Sequence, residues 1–265
     1  LLYIDRFHKI MRNYPNVHNP CVTIITPLYN GGQFVSESIA SIVNQTYSNW
    51  ELIVIDDCST DDGTRIVEEY QKGDNRIKLI RNECNLGPAK TRNLGIEAAA
   101  GRYIAFLDSD DIWLPNKLEV QLRFMEDNNT PFTFAYYEQI DEQGKLIKKM
   151  DYFPKKVTYR STMMSNKIGC LTAMYDTQYF GKVYMVDIRN RQDYTLWLQL
   201  LKKVDYAYCV PEILARYRVR KGSISSNKWK LVKYHWHIYR HIEQQSFFTS
   251  LYYITNYITL RLLRK

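Results

Sequence analysis

The chain has no uninterrupted apolar run of the roughly 18–20 residues that a membrane-spanning helix needs, which argues against a transmembrane enzyme. A secretory leader is not expected either, because Leu1–Leu2 is followed within four residues by Asp5 and Arg6. Cysteine is thinly used. Cys21, Cys58, Cys84, Cys170 and Cys209 are scattered, odd in number and lack a CxxC spacing. That argues against a disulfide framework or a zinc site and favours a reducing cytosol. The phosphate-cradling signatures GxxxxGK[ST] and GxGxxG are both missing. Internal repeats and low-complexity segments are absent as well. Acidic residues become scarce toward one end: residues 202–265 hold 13 Lys/Arg against Asp205, Glu212 and Glu243, a balance of +10, while the first 201 residues carry −2. A charge split of this kind is a targeting feature more than a folding one.

What is present is a globular composition, 45% hydrophobic and 24% charged over 265 residues, enough for one large α/β domain with an appendage or for two small domains. Aromatics reach 14%, mostly through 22 tyrosines, whose apolar ring and polar tip suit sugar clefts and membrane interfaces as well as ordinary cores. Four strand-like runs alternate with helical patterns: Cys21–Thr26, Glu51–Ile55, Arg76–Ile80 and Arg102–Leu107, with helices over Phe34–Asn44, Asp62–Gln71 (Ser59 or Thr60 placed to cap it) and Gly87–Ala100. Short links between alternating strands and helices imply a mostly parallel sheet, and such sheets bind ligands beyond the carboxyl ends of their strands. Three of the four ends carry polar motifs: Pro27–Asn30, Asp56–Asp57 and Asp108–Asp111. Further on, Phe132–Gln139 reads as a strand and Gly144 as a hairpin turn. Asp193–Lys202 reads as an amphipathic helix, and Tyr206–Val210 and Ile213–Val219 as two strands around Pro211. From Lys228 the pattern is helical, with Trp229, Val232, Trp236 and Tyr239 three and four residues apart.

Asp108-Ser109-Asp110-Asp111 follows a buried strand directly. Carboxylates this close repel unless a cation sits among them, and hard oxygen ligands suit Mg²⁺ or Mn²⁺ bridging two phosphates. The plainer alternative is a solvated acidic turn capping the helix after Pro115. Asp56-Asp57-Cys58-Ser59-Thr60-Asp61 offers a carboxylate able to accept the N3–H of a uracil ring, or a set of ordinary helix caps. Asn85-Leu86-Gly87, with Lys90 and Arg92, opens a helix whose start suits negative charge.

In chain order, Pro27-Leu28-Tyr29-Asn30, Asp56-Asp57-Cys58-Ser59-Thr60-Asp61, Asn85-Leu86-Gly87 running on to Arg92-Asn93-Leu94-Gly95, and Asp108-Ser109-Asp110-Asp111 are four motifs whose order and spacing resemble the family 2 glycosyltransferases. The resemblance covers about residues 21–220. It implies an α/β GT-A fold with a mostly parallel central sheet and a C-terminal helical extension. The implied layout is an extension over 1–20, a catalytic domain over 21–225 (nucleotide half to about 115, acceptor half from about 116), and a basic aromatic helical tail over 226–265. It implies an inverting, non-processive hexosyl- or N-acetylhexosaminyltransferase with a Mn²⁺ or Mg²⁺ cofactor. Thr26, Pro27 and Tyr29 would line the nucleoside pocket. Asp57 would meet the base and Arg92 the nucleotide. Asp108 would lie near ribose and metal, with Ser109 beside it and Asp110 as the main metal ligand. Arg191-Gln192-Asp193-Tyr194 resembles the acceptor-side segment, where Asp193 would be the catalytic base. By itself, that Asp also reads as a helix cap. One departure stands out: relatives often place a metal-assisting histidine where Arg220 or Lys221 stands, so either a cation such as Arg220 would neutralise the diphosphate directly or the loop does something else.

The implied partners are a nucleotide sugar, UDP-linked by the Asp57 reading, and a glycan or lipid-linked acceptor. No nucleic acid is expected, because no binding motif accompanies the basic tail. Its aromatics and cations suit an anionic leaflet, on the inner face of the cytoplasmic membrane, or a helical hairpin packed on the catalytic domain. Processive synthases are disfavoured by the missing QxxRW segment and membrane spans. A nucleotidyltransferase would want a basic, glycine-rich loop after the first strand, which Pro27–Gly32 is not. A non-catalytic binding module would not need Asp57, Asp108, Asp110 and Asp193 together.

Overall fold

The computed structural model describes residues 21–220 and 228–262. The proposed extension over 1–20, Lys221, and the last three residues with Arg264 and Lys265 lie outside the described residues. Four runs of β-branched and aromatic residues form β1 (Val22–Leu28), β2 (Trp50–Asp56), β3 (Ile77–Arg81) and β4 (Tyr103–Phe106). They pair in parallel in the order β3-β2-β1-β4. Their burial is nearly continuous because helices cover both faces. The linking helices are α1 (Val35–Val43), α2 (Gly63–Gly73) and α3 (Pro88–Ala98).

The second half adds β5 (Ile112–Trp113), α4 (Lys117–Asp127), β6 (Phe132–Ile140), β7 (Leu146–Met150), β8 (Lys156–Val157), α5 (Tyr159–Met164), β9 (Met174–Asp176), α6 (Thr177–Phe180), α7 (Gln192–Leu201) and β10 (Ala207–Arg218). One sheet runs β3-β2-β1-β4-β9-β6-β10-β5, with β7 on β6 and β8 on β10. The short β9 is antiparallel to both β4 and β6 and so joins the parallel half to the rest. Side chains alternate across the sheet as strand geometry demands. Ile25, Ile53 and Ile55 pack with Ile96 of α3 and Trp197 of α7, whereas Ile24, Leu52 and Val54 pack with Val35 and Ile39 of α1, Val67 of α2 and Leu118 of α4.

Three local readings are corrected. The two strands expected around Pro211 are one strand, β10, whose pairing with β6 shifts register between Val210 and Ile213. Proline lacks the N–H a ladder needs, and the bulge accommodates it without ending the strand. Neither Ser59 nor Thr60 caps α2. Its N-cap is Asp62, with no side-chain cap bond, while Ser59 and Thr60 bond Asn30 instead. Asp193 does not cap α7 either: the N-cap is Arg191, held at φ 66°, and Asp193 sits in the first turn.

The C-terminal segment is a hairpin of helices. α8 (Lys228–His237) runs into a π-turn over Ile238–Ile242, and α9 (Phe247–Leu262) follows. Ile238, Tyr239, Tyr253 and Ile254 pack against Met163 of α5 and Tyr194 and Leu198 of α7. The packing role foreseen for the tail is therefore real, and it takes up part of the aromatic surface. The side chains of Trp229, Lys228, Lys230 and Arg261 lie outside the described residues.

Candidate active site

The carboxyl ends of β1, β2 and β4 open onto one edge of the sheet, and their loops are knitted together before any ligand is considered. Asn30 sits at φ 48°, a left-handed conformation that asparagine tolerates. Its N–H donates to Ser59 Oγ (3.0 Å), and its Oδ1 accepts from the Thr60 N–H (2.9 Å). Asp61 Oδ2 accepts from the Gly32 N–H (2.7 Å). Gly31 is pressed against the acidic loop: a Cβ there would lie 2.8 Å from Ser109 Oγ. The hydroxyl of Ser38 on α1 donates to the Asp108 carbonyl (3.2 Å).

The acidic loop is neutralised by arginines from separate elements. Arg92 of α3, buried, binds Asp108 Oδ1. Arg220 Nε lies 2.6 Å from Asp110 Oδ2. Arg218, at the end of β10, does the most: its backbone N–H donates to Asp111 Oδ1 (2.9 Å) and its Nε to the Asp110 carbonyl (2.9 Å). Its Nη2 reaches Glu37 Oε2 of α1 at 2.5 Å. The Phe34 ring lies under both guanidinium groups, 4.7 Å from Arg218 Cζ and 5.5 Å from Arg220 Cζ. The cation inferred among these carboxylates is thus in part the protein's own. The acidic turn does not cap the next helix: the N-cap position of α4 is Asn116, and no side-chain cap bond is made there.

Charge crowding persists despite the arginines. Burial and then the Asp108 charge raise the Asp110 carboxyl above the usual range, with Arg220 opposing. Asp111 is pushed up further by burial, Asp110 and Asp108. Burial alone would lower Arg92, but Asp108 overrides it and leaves Arg92 raised. The negative charge of Asp193, in the first turn of α7, is also felt at Arg92 and at the Cys170 thiol. Burial raises the Cys170 thiol, with Arg92 opposing.

Other expected site residues are placed less directly. Tyr29 stands 55% exposed at the mouth, whereas Pro27 is half-buried and Thr26 is enclosed in β1, its hydroxyl without a partner. Asp57 is buried, and its carboxylate accepts from Asn82 Nδ2 (2.8 Å), the Leu86 N–H (2.8 Å) and the Gly87 N–H (2.9 Å). In this structure it organises the turn into α3, where Gly87 adopts φ 84°, and is not presented openly to a base. The start of α3, expected to suit negative charge, faces carboxylates of the protein itself: the Leu86 and Gly87 N–H groups face Asp57, Arg92 faces Asp108, and Lys90 lies 3.2 Å from Asp187. In this structure the buried Arg92 guanidinium is turned to Asp108. Sequence reasoning missed Arg218, Glu37 and Phe34.

Among the described residues, no three His, Cys, Asp or Glu side chains converge as a ligand set. Mg²⁺-type ions need only one or two carboxylates when substrate phosphates supply the rest. Asp108 and Asp110 each meet an arginine through one oxygen, so the pair fits that partial demand.

The sequence model of the family described as Glycosyl transferase family 2 matches residues 23–180. The chain is 42% identical over 238 residues to TuaG of Bacillus subtilis (strain 168), a glycosyltransferase named for teichuronic acid biosynthesis, covering 90% of this chain and 94% of that one. It is 40% identical over 243 residues to the Escherichia coli UDP-Glc:alpha-D-GlcNAc-diphosphoundecaprenol beta-1,3-glucosyltransferase WfgD, covering 90% and 92%. Among solved structures, S. aureus TarS 1-349 in complex with UDP-GlcNAc superposes with a TM-score of 0.68 at 20% identity, over 83% of this chain and 66% of that chain. The Pyrobaculum calidifontis mannosyltransferase PcManGT with GDP-Man and Mn2+ gives 0.64 at 18% identity, over 92% and 70%.

Proposed function

The chain belongs to the family 2 glycosyltransferases and has the GT-A fold, and from that premise we propose that it moves a sugar with inversion from a UDP-linked donor to a hydroxyl of a lipid-linked glycan during surface-polysaccharide synthesis. The observation that carries the reading is the acidic loop beyond β4, where Asp108 and Asp110 meet arginines from separate elements, with Asp193 in the first turn of α7 close enough for its charge to be felt at Arg92. A single-displacement transfer needs one base on the acceptor and charge neutralisation on the departing diphosphate, and this arrangement separates those two tasks.

Asp193 takes the proton of the acceptor hydroxyl as that oxygen attacks the anomeric carbon from the face opposite the diphosphate. One carboxylate suffices, since no enzyme-bound sugar is formed. Arg92 holds Asp108 in place, and Arg218 holds Asp111 and the backbone of Asp110, so the acidic loop keeps its shape when the donor arrives. A divalent ion, Mn²⁺ or Mg²⁺, held by Asp110 and Asp108 would supply positive charge to the departing diphosphate. Arg220, beside Asp110, is placed to add a second positive charge there. The acceptor reading rests on WfgD, whose name specifies a diphosphoundecaprenol acceptor, and on the basic tail, which would keep the enzyme peripheral on the inner face of the cytoplasmic membrane. Incubating the protein with a panel of UDP- and GDP-sugars, with and without Mn²⁺, tests the donor. Metal-stimulated turnover of a UDP-sugar is expected, and turnover confined to GDP-sugars or indifferent to metal and chelator would sink this part.

A further inference from the structure

The large apolar side chains of the C-terminal hairpin fall into two sets. Tyr239, Tyr253 and Ile254 are buried against the catalytic domain. Phe247, Phe248, Leu251 and Tyr252 face outward, at 54, 80, 47 and 47% exposure. Single exposed apolar residues are ordinary, but these are contiguous. The Trp236 and Phe247 rings stand 5.6 Å apart and those of Phe247 and Phe248 5.8 Å apart. Phe248, Leu251 and Tyr252 also share one face of α9 by three- and four-residue spacing.

The sequence of the hairpin segment is charged almost entirely with one sign. Residues 228–265 contain seven Lys/Arg and a single acid, Glu243. That acid is turned inward, with its side chain 1% exposed, accepting from the Tyr159 hydroxyl (2.5 Å) and lying 2.6 Å from Lys202 Nζ. Lys233, His237 and His241 remain exposed on the same hairpin. A second copy would bring like charges together, whereas an anionic lipid surface complements both the cations and the aromatic edge. The hairpin is also coupled to the acceptor side: Tyr239 donates to the Met163 carbonyl (2.7 Å), and its neighbour His235 packs on Tyr194, the residue after Asp193, at 5.3 Å.

We propose that Phe247, Phe248, Leu251 and Tyr252 form the membrane-inserting edge of the enzyme, seated at headgroup depth in an anionic bilayer with the Asp193 helix held above it. The proposal deepens the lipid-linked-acceptor reading and rests on it. The test uses the full chain and a Phe248→Ser/Leu251→Ser variant, which spares the Trp236–Phe247 contact, with single Phe248→Ser as a milder companion. Co-sedimentation is measured with phosphatidylcholine vesicles with and without phosphatidylglycerol, free of any glycolipid acceptor. Wild type is expected to bind only the anionic vesicles, and the double variant about tenfold or more weakly, with its melting temperature and UDP-sugar hydrolysis unchanged. Equal partitioning of variant and wild type overturns the proposal. So does a concentration-dependent dimer, seen by sedimentation velocity without vesicles, that the double substitution abolishes. Transfer to a detergent-solubilised diphospholipid acceptor is assayed separately, so failure of the acceptor reading is told apart from failure of the docking edge.

Discussion

At the scale of single residues, the candidate site is a set of carboxylates held by arginines. Asp110→Ala is expected to abolish transfer and to weaken UDP-sugar binding mainly when Mn²⁺ is present, because the diphosphate loses its route to a bound cation. Titration calorimetry with and without metal checks this, and wild-type turnover in a metal-dependent assay would refute it. Asp193→Asn keeps size and shape but cannot take the acceptor proton. Its transfer rate is expected to fall by roughly 10²–10⁴ with donor affinity little changed. An equally large loss of donor affinity would move Asp193 to the donor side. Away from the site, Lys117 is fully buried, its ammonium lacks a hydrogen-bond partner, and it lies 3.7 Å over the Trp113 ring centroid. Burial lowers its pKa well below the usual lysine range. Between that lowered value and the unfolded one the unfolded chain binds more protons, so stability rises with pH there and the penalty is complete below. Lys117→Met is therefore expected to stabilise the protein by about 1–3 kcal/mol at neutral pH, with the gain vanishing as pH passes about 10.5. Denaturant midpoints across pH measure this.

At the scale of elements, α3 lies unusually close to the sheet. A Cβ on Gly95 would come within 2.6 Å of Ile25 Cγ2 and 2.8 Å of Ile55 Cδ1. Both isoleucines are fully buried, so neither can retreat cheaply. Gly95→Ala is expected to cost about 1–3 kcal/mol in spite of alanine's better helix propensity. A midpoint shift toward higher denaturant would show that α3 can slide. The same closeness sets Arg92, one turn earlier on α3, against Asp108, so the helix-to-sheet distance governs the site as well as the core. Helix and strand identities were largely legible along the chain. Each of the four parallel strands is a short β-branched run followed by a polar turn, a pattern set by neighbours in sequence. The bulge at Pro211 was harder to read because a break and a bulge look alike until the partner strand β6 is known.

At the scale of the whole molecule, the hairpin of α8 and α9 is both a cover for the domain and the carrier of its positive charge. Tyr194, Leu198 and Met163 depend on it for burial. A chain ending near Ser226 is accordingly expected to lose stability and to aggregate, with a melting transition lowered by several degrees or lost. An unchanged transition would mean that the hairpin contributes nothing to the catalytic domain.

The motif order, the parallel half of the sheet and the convergence of three strand ends on one edge were determined by the sequence alone, since alternation and strand-end chemistry are local properties. Which charges meet was decided only by the tertiary structure. Asp108 finds Arg92 sixteen residues away, Asp111 finds Arg218 at 107, and Arg218 finds Glu37 at 181. No local pattern encodes such pairings. They follow from the crossovers that bring β10, α1 and α3 to the edge where β4 ends. For the same reason, the division of the tail's aromatics into buried and exposed sets had to await the packing of α8 and α9 on α5 and α7. Helical spacing puts residues on a common face, but it is the neighbouring surface that decides whether that face meets protein or solvent.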